Sequence, residues 1–317
     1  MSLTAPGPRL GVDLGGTTIT AVVTGAGAEL YAVAEGATGD HADPEEVLDR
    51  VAEIAVAACQ KAELSPSELV AVGAGLPGEV EPARGLFRSS PILPTWKDVP
   101  VAAGLAARLG QRVSVENDAN ATLLGEWAFG AGQGADPVLL LTLGTGIGGA
   151  ILVNGRLVTG CRGSAGEVGH LSVDPNGPPC WCGGRGCLGL LASATALCRQ
   201  YRVQAHLPDD APVDGRLVAE RFDAGEPAAI RAVDTVAIWL ARGIENAAVV
   251  LAPERVVIFG GILGGLGGPL LDGVRRRLAA RPYPAVIATL QVVPAQLGPH
   301  AGAIGASLLS QFDEVRP

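Results

Sequence analysis

The sequence predicts an α/β protein built from two related halves, and three observations carry that expectation. A strand, a glycine turn and a second strand occur twice, first as Leu10–Leu14, Gly15-Gly16-Thr17-Thr18 and Ile19–Thr24. The pattern returns as Val138–Leu143, Gly144-Thr145-Gly146-Ile147-Gly148-Gly149 and Ala150–Val153. Apolar runs of strand length alternate with segments of helical spacing, and 317 residues suffice for two cores.

In the first half, Asp43–Ala62 places Val47, Val51, Ile54, Ala55 and Ala58 on one side of a helix. Asp43 is its cap and Pro44 its first-turn proline. Leu69–Gly75 reads as a buried strand ending in the turn Gly75-Leu76-Pro77-Gly78. Val113–Val115 is a short strand, followed by a helix from Ala119 to Ala128. In the second half, Ala150–Val153 ends at a turn, Asn154-Gly155, and Val256–Phe259 is a strand ending in Gly260-Gly261 with helices on both sides. Val233–Ala252 is the most apolar helix, but Asp234, Arg242, Glu245 and Asn246 interrupt it, which makes it a buried helix and not a membrane span. The division is expected between 118 and 119, giving domains 1–118 and 119–297. A last helix, Ala301–Leu309 within 298–317, is expected to pack back on the first half.

Hydrophobic residues make up 48% and charged residues 17%, a globular composition. The formal charge of -9 without a Lys/Arg block excludes a protein that tracks nucleic-acid phosphates. It does not exclude a nucleotide, whose phosphates backbone amides and Mg²⁺ can hold. Met1–Arg9 carries no charged start followed by an apolar core, so a cytoplasmic protein without a membrane partner is expected. Of the six cysteines, Cys59, Cys161 and Cys198 are scattered and read as small buried apolar residues.

Asp13-Leu14-Gly15-Gly16-Thr17-Thr18 sets a carboxylate at a strand end, then two residues without a Cβ, then two hydroxyls. Glycines let backbone N–H groups approach phosphate oxygens, and Asp13 can orient Mg²⁺ or its waters; the same residues also suit a plain tight hairpin. Gly144, Thr145 and Gly146 repeat that chemistry, and Phe259-Gly260-Gly261 suits close approach of a flat adenosine group or a simple strand-to-helix loop. Glu116-Asn117-Asp118-Ala119-Asn120 follows a strand and opens a helix. Its polar residues fit helix caps, and Asp118 also fits a base that accepts an alcohol proton. His170, Cys180, Cys182 and Cys187 form a closed ligand set for structural Zn²⁺, which in a reducing compartment explains the cluster better than a disulfide.

These motifs in this order, with Gly166-Glu167-Val168-Gly169-His170 and Ala301-Gly302-Ala303-Ile304-Gly305-Ala306, resemble the ROK family (repressor, open reading frame, kinase). The resemblance implies an actin-like ATPase (ribonuclease H-like) fold with two α/β domains around a deep cleft, assembled as a homodimer or homotetramer. It implies transfer of the ATP γ-phosphoryl group, with Mg²⁺, to the primary hydroxyl of a hexose or a related polyol. By position, Asp118 resembles the catalytic base, and Asn117, Glu167 and His170 resemble sugar contacts, with Gly75, Pro77 and Gly78 beside the sugar. Asp13, Gly15, Gly16, Thr17, Thr18, Gly144, Thr145 and Gly146 resemble phosphate contacts, and Gly260 and Gly261 would lie beside adenosine. Repressors of the family carry a helix-turn-helix ahead of the first phosphate turn; here Asp13 stands near the N-terminus, so a kinase is the expectation.

Two departures bear on the acceptor. The family normally has Glu two residues after the last zinc cysteine, where this chain has Gly189, and often Asn where this chain has Ile92. Loss of a carboxylate that accepts sugar hydroxyls costs about 1.5–3 kcal/mol, which is roughly ten- to a hundred-fold in glucose affinity. A glucokinase that tolerates the change, a kinase for a substituted sugar such as an N-acylated hexosamine, and a kinase for a seven-carbon cyclitol are the readings this leaves.

Overall fold

The computed structural model describes residues 7–40, 43–281 and 285–313. The chain divides into two compact units. The first comprises Met1–Gly134, Gly155–Ala165 and Gln296–Pro317; the second comprises Ala135–Asn154 and Gly166–Ala295.

In the first unit β1 (Arg9–Leu14), β2 (Thr18–Thr24) and β3 (Leu30–Ala37) form an antiparallel meander. β4 (Ala71–Leu76) continues the sheet parallel to β1. After β5 (Glu79–Glu81) and β6 (Leu86–Ser89), which form a ribbon of their own, β7 (Ser114–Asn117) runs parallel to β4. The order is β3-β2-β1-β4-β7. The register sets Asp13 opposite Gly75 and Gly75 opposite Glu116, so three strands end side by side with their polar residues at one edge. β3 escapes the pattern reading because Leu30 and Tyr31 are exposed at the sheet's rim and Ala and Glu fill much of the rest.

Helix α1 (Pro44–Lys61) starts where the sequence predicts. The Asp43 side chain accepts a hydrogen bond from the Glu45 N–H, and Val47, Val51, Ala55 and Ala58 are buried. α2 (Val101–Leu109) follows, and α3 (Asp118–Phe129) begins one residue before the expected start because Asn117 caps it. The last helix is broken in two, Ala301–Ala306 and Leu309–Asp313, and is not the continuous Ala301–Leu309. Ser307 lies at the break: its hydroxyl donates to the Ile304 carbonyl at 2.7 Å and meets the Thr24 hydroxyl at 3.3 Å, side-chain bonds that compete with the helix ladder. Cys59 is buried as expected and Cys198 half-buried, whereas Cys161 is exposed, because it lies on a surface loop between Gly160 and Gly163, both at positive φ.

In the second unit β8 (Val138–Leu143) and β9 (Ile147–Val153) are antiparallel. Strands Arg255–Phe259 and Gln291–Pro294 extend the sheet in parallel from β8. β9 begins at Ile147, not Ala150, so Gly148 and Gly149 belong to the strand and the turn shrinks to Gly144–Gly146. A Cβ at Gly149 would stand 2.4 Å from the Gly166 carbonyl oxygen, so glycine there admits the chain leading to His170. The helix Pro227–Leu251 buries Leu240, Ala241, Ile244 and Ala248. Among the described residues no helix is long and apolar enough to cross a membrane.

Candidate active site and metal centre

At the strand-end edge of the first unit, the Asn117 side chain does two jobs. Its Oδ1 accepts from the N–H groups of Ala119 and Asn120, and its Nδ2 donates to the Gly78 carbonyl at 3.0 Å. That ties the start of α3 to the Gly75–Gly78 turn. Asp118 occupies the first helical position, where the N-terminal helix dipole favours a carboxylate, and its Oδ1 accepts from the Ala119 N–H at 2.8 Å. The Thr122 hydroxyl donates to the Asp118 carbonyl at 2.8 Å and fixes the first turn. Glu116, fully buried, accepts from the Asn117 N–H and the Asn120 amide, a brace beneath the two residues at the edge.

Asp13 is brought to Asp118 by the register of β1, β4 and β7. Burial, and then the negative charge of Asp118, push its carboxyl up to about 7. A divalent cation would offset both effects, so this carboxylate fits a Mg²⁺ partner. The first glycine turn closes with the Gly15 N–H donating to the Thr18 carbonyl at 2.9 Å, leaving Thr17 and Thr18 exposed. Gly15 and Gly16 are half-buried, Gly75 and Pro77 are buried, and Gly78 is half-buried.

In the second unit the turn Gly144–Gly146 is exposed, and a Cβ at Gly144 or Gly146 would meet nothing within 4 Å. Its open face suits an approaching ligand. The Ala194 N–H, at the start of the helix Ala194–Gln204, donates to the Gly144 carbonyl and holds the turn from behind. Gly260, at φ +138°, lies against the end of β8, where a Cβ would stand 2.2 Å from the Leu143 carbonyl oxygen. The loop at Gly260 and the second glycine turn are thereby neighbours, with Thr145 and Gly261 exposed beside them.

The side-chain donor atoms of His170, Cys180, Cys182 and Cys187 all lie within 4.8 Å of one another. Cys182 Sγ and Cys187 Sγ are 3.6 Å apart, and Cys180 Sγ is 3.7 Å from His170 Nδ1. A tetrahedral zinc with ordinary Zn–S and Zn–N lengths requires edges of about 3.5–3.8 Å. The residues therefore fit zinc, with Nδ1 as the histidine donor. The loop wraps because Gly183 and Gly186 take positive φ, and the Cys180 N–H and carbonyl bond to Gly184 and Gly183. Glu167, exposed, precedes the short 3₁₀ turn Val168–His170, so the second unit carries it within one turn of His170.

The ROK family profile matches residues 9–312. The chain belongs to the ROK family. It is 38% identical over 312 residues to a glucokinase of Thermotoga maritima, covering 94% of this chain and 95% of that one. Among solved structures, a ROK hexokinase from Thermus thermophilus superposes with a TM-score of 0.80 at 35% identity, covering 97% of this chain and 99% of that one. A ROK glucokinase from Streptomyces griseus, in complex with glucose and AMPPNP, superposes with a TM-score of 0.81 at 33% identity, covering 96% and 100%. The fold of this ROK protein is accordingly the actin-like ATPase fold.

Several residues that hold the ROK site were not singled out by sequence reasoning. Thr38, fully buried, donates from its hydroxyl to the Gly15 carbonyl at 2.8 Å and from its N–H to the Thr17 carbonyl, bracing the first turn. Glu126 is fully buried and accepts from the N–H groups of Ala131, Gln296 and Leu297 at 2.8–3.0 Å. A buried-face glutamate inside an apolar helix is a sequence signal for such a brace, but its partners are remote in the chain. The loop carrying Ile92 is anchored by buried Leu93 and Trp96, the latter edge-on to Phe87 at 5.3 Å between centroids. Ile92 itself remains 49% exposed, beside Gly16.

Proposed function

We propose that this protein transfers the γ-phosphoryl group of ATP to the primary hydroxyl of a hexose or hexose-like ring, in the cytoplasm and as a homodimer or homotetramer. The observation that carries the reading is Asp118, held at a helix start beside Asp13 and Asn117, in a chain whose relatives over nearly its whole length are glucokinases. Asp118 is the base that takes the acceptor hydroxyl proton. Asp13 would hold Mg²⁺, which supplies charge neutralisation for the transferred phosphoryl group. The turns Gly15–Thr18 and Gly144–Gly146 offer backbone N–H groups and hydroxyls to phosphate oxygens, and Gly260 and Gly261 line the adenosine. Asn117, Glu167, His170 and the Gly75-Leu76-Pro77-Gly78 turn bind the ring. His170, Cys180, Cys182 and Cys187 would hold one structural zinc; its four protein ligands leave no open coordination position, so its task is to shape the loop around Glu167 and His170.

A second acceptor class has its own support. Gly189 has an ordinary negative-φ backbone, and a Cβ there would sit 3.4 Å from both the Gly169 carbonyl oxygen and the Ile147 nitrogen. Neither space nor strain requires glycine, so the missing side chain is room for the ligand. That favours an acceptor altered at one end, such as an N-acylated hexosamine or a seven-carbon cyclitol. ATP consumption by the zinc-loaded protein against glucose, mannose, N-acetylated hexosamines, fructose and C7-cyclitols tests both readings. Preference for glucose makes it a glucokinase; weak glucose turnover with a strong cyclitol or substituted-sugar response selects the second class. No consumption with any acceptor overturns the kinase reading.

A further inference from the structure

The helix Ala301–Ala306 packs into the first unit through glycines, and these differ in what a methyl group would strike. A Cβ at Gly305 would lie 1.7 Å from the Ala121 carbonyl oxygen. At Gly11 it would lie 1.8 Å from the Ala303 carbonyl oxygen, and at Gly73 2.0 Å from that of Ala306. All three meet backbone, which cannot step aside, so these glycines are conditions of the fold. Gly302 is different: its Cβ would meet Oδ2 of Asp13 at 2.8 Å and Cγ of Asp13 at 3.0 Å, the movable end of a side chain. On the other side, a Cβ at Gly75 would stand 3.8 Å from Asp13 Oδ1 and 3.5 Å from the Asp118 Cα. The Asp13 carboxylate thus stands between two glycines, one on β4 and one on the C-terminal helix, with Thr122 Oγ1 only 3.3 Å from the Gly302 Cβ position.

We infer that Gly302 is a positioning residue for Asp13: the bare Cα of the C-terminal helix sets where the carboxylate lies relative to Asp118. A methyl group at 302 needs about 0.5 Å more clearance to reach an ordinary contact, and Asp13 is the group that yields. Displacements of that size at a phosphoryl-transfer site cost roughly ten- to a hundred-fold in rate. The fold should tolerate the change, because alanine favours the helix more than glycine does.

The test compares Gly302→Ala with Gly305→Ala, alone and in an Asp13→Asn background. Crystal structures of wild type and Gly302→Ala are expected to show the Asp13 carboxylate shifted while the helix stays in place. kcat should fall ten- to a hundred-fold with the sugar KM unchanged and Tm close to wild type, whereas Gly305→Ala should lower Tm markedly. Mg-AMPPNP affinity by calorimetry should weaken in Gly302→Ala but change less than two-fold when the substitution is added to Asp13→Asn. An unmoved carboxylate, or an equal effect with and without Asp13, overturns the inference. The kinetic arm rests on the kinase reading. If wild type phosphorylates nothing, that reading fails while the crystal comparison still decides the role of Gly302.

Discussion

At neutral pH Asp13 stands at its own titration point, its carboxyl pushed up to about 7 from 3.8 by burial and by the Asp118 charge. The folded state therefore holds this proton more tightly than the unfolded chain does. The resulting stability is complete below about pH 4 and is lost as pH rises through about 7. Asp13→Asn should remove that slope, so the apo variant should gain on wild type as pH rises from about 4 to about 7 in urea melts. Equal slopes for the two proteins would count against the burial of this group. Asp118→Asn should abolish phosphoryl transfer while far-ultraviolet dichroism and zinc content stay unchanged; retained turnover would remove Asp118 from the mechanism. Gly189→Glu should raise kcat/KM for glucose roughly ten- to a hundred-fold by restoring a charge-assisted acceptor. Unchanged selectivity across all acceptors would show that position 189 does not face the ring.

Helix α3 depends on a long-range polar brace. Glu126 joins α3 to Gln296 and Leu297, and Glu126→Ala would strand the buried Ala131 N–H, at about 1–3 kcal/mol, together with the part-buried N–H groups of Gln296 and Leu297. The expected loss is about 2–3 kcal/mol in urea unfolding; a loss under about 1 kcal/mol would mean that water replaces the carboxylate. The loop carrying Cys180, Cys182 and Cys187 depends instead on the proposed zinc. Trp181 is 72% exposed and stands edge-on to His170 at 4.9 Å between ring centroids. Chelation should release about one zinc per chain and change the Trp181 emission, and Cys187→Ala should purify without zinc and with little activity. Full zinc content in Cys187→Ala would exclude this ligand set. Caps and loop glycines are readable locally, as Asp43 before α1 and the glycines between Cys182 and Cys187 show.

Across the whole molecule the units are not contiguous in sequence: Gln296–Pro317 belongs with Met1–Gly134. The segment supplies Gly302 beside Asp13 and the N–H partners of Glu126. A chain ending at Ala295 should therefore lack a cooperative unfolding transition for the first unit and should not bind Mg-AMPPNP. A sharp transition at the wild-type Tm would contradict that dependence. Light scattering of the intact protein tests the expected homodimer or homotetramer, and a monomeric mass would reject it.

The sequence by itself determined the α/β class, the two glycine turns, the cap before α1, Asp118 at a helix start and the cluster of His170 with Cys180, Cys182 and Cys187. Each rests on residues within a few positions of one another, where backbone sterics and ligand spacing act directly. It also marked Gly189 and Ile92 as departures, without showing that Gly189 has room for a side chain or that Ile92 stands exposed against Gly16. The start of β9 at Ile147 and the break at Ser307 were set by contacts made in the folded chain, the pairing of Ile147 with Leu143 and the meeting of Ser307 with Thr24. The same holds for Thr38 under the first turn, for Glu126, and for the pairing of Gly302 with Asp13. Those partners are brought together by strand register and by the return of the C-terminal helix, and no local periodicity encodes which remote carbonyl or carboxylate a given residue will meet.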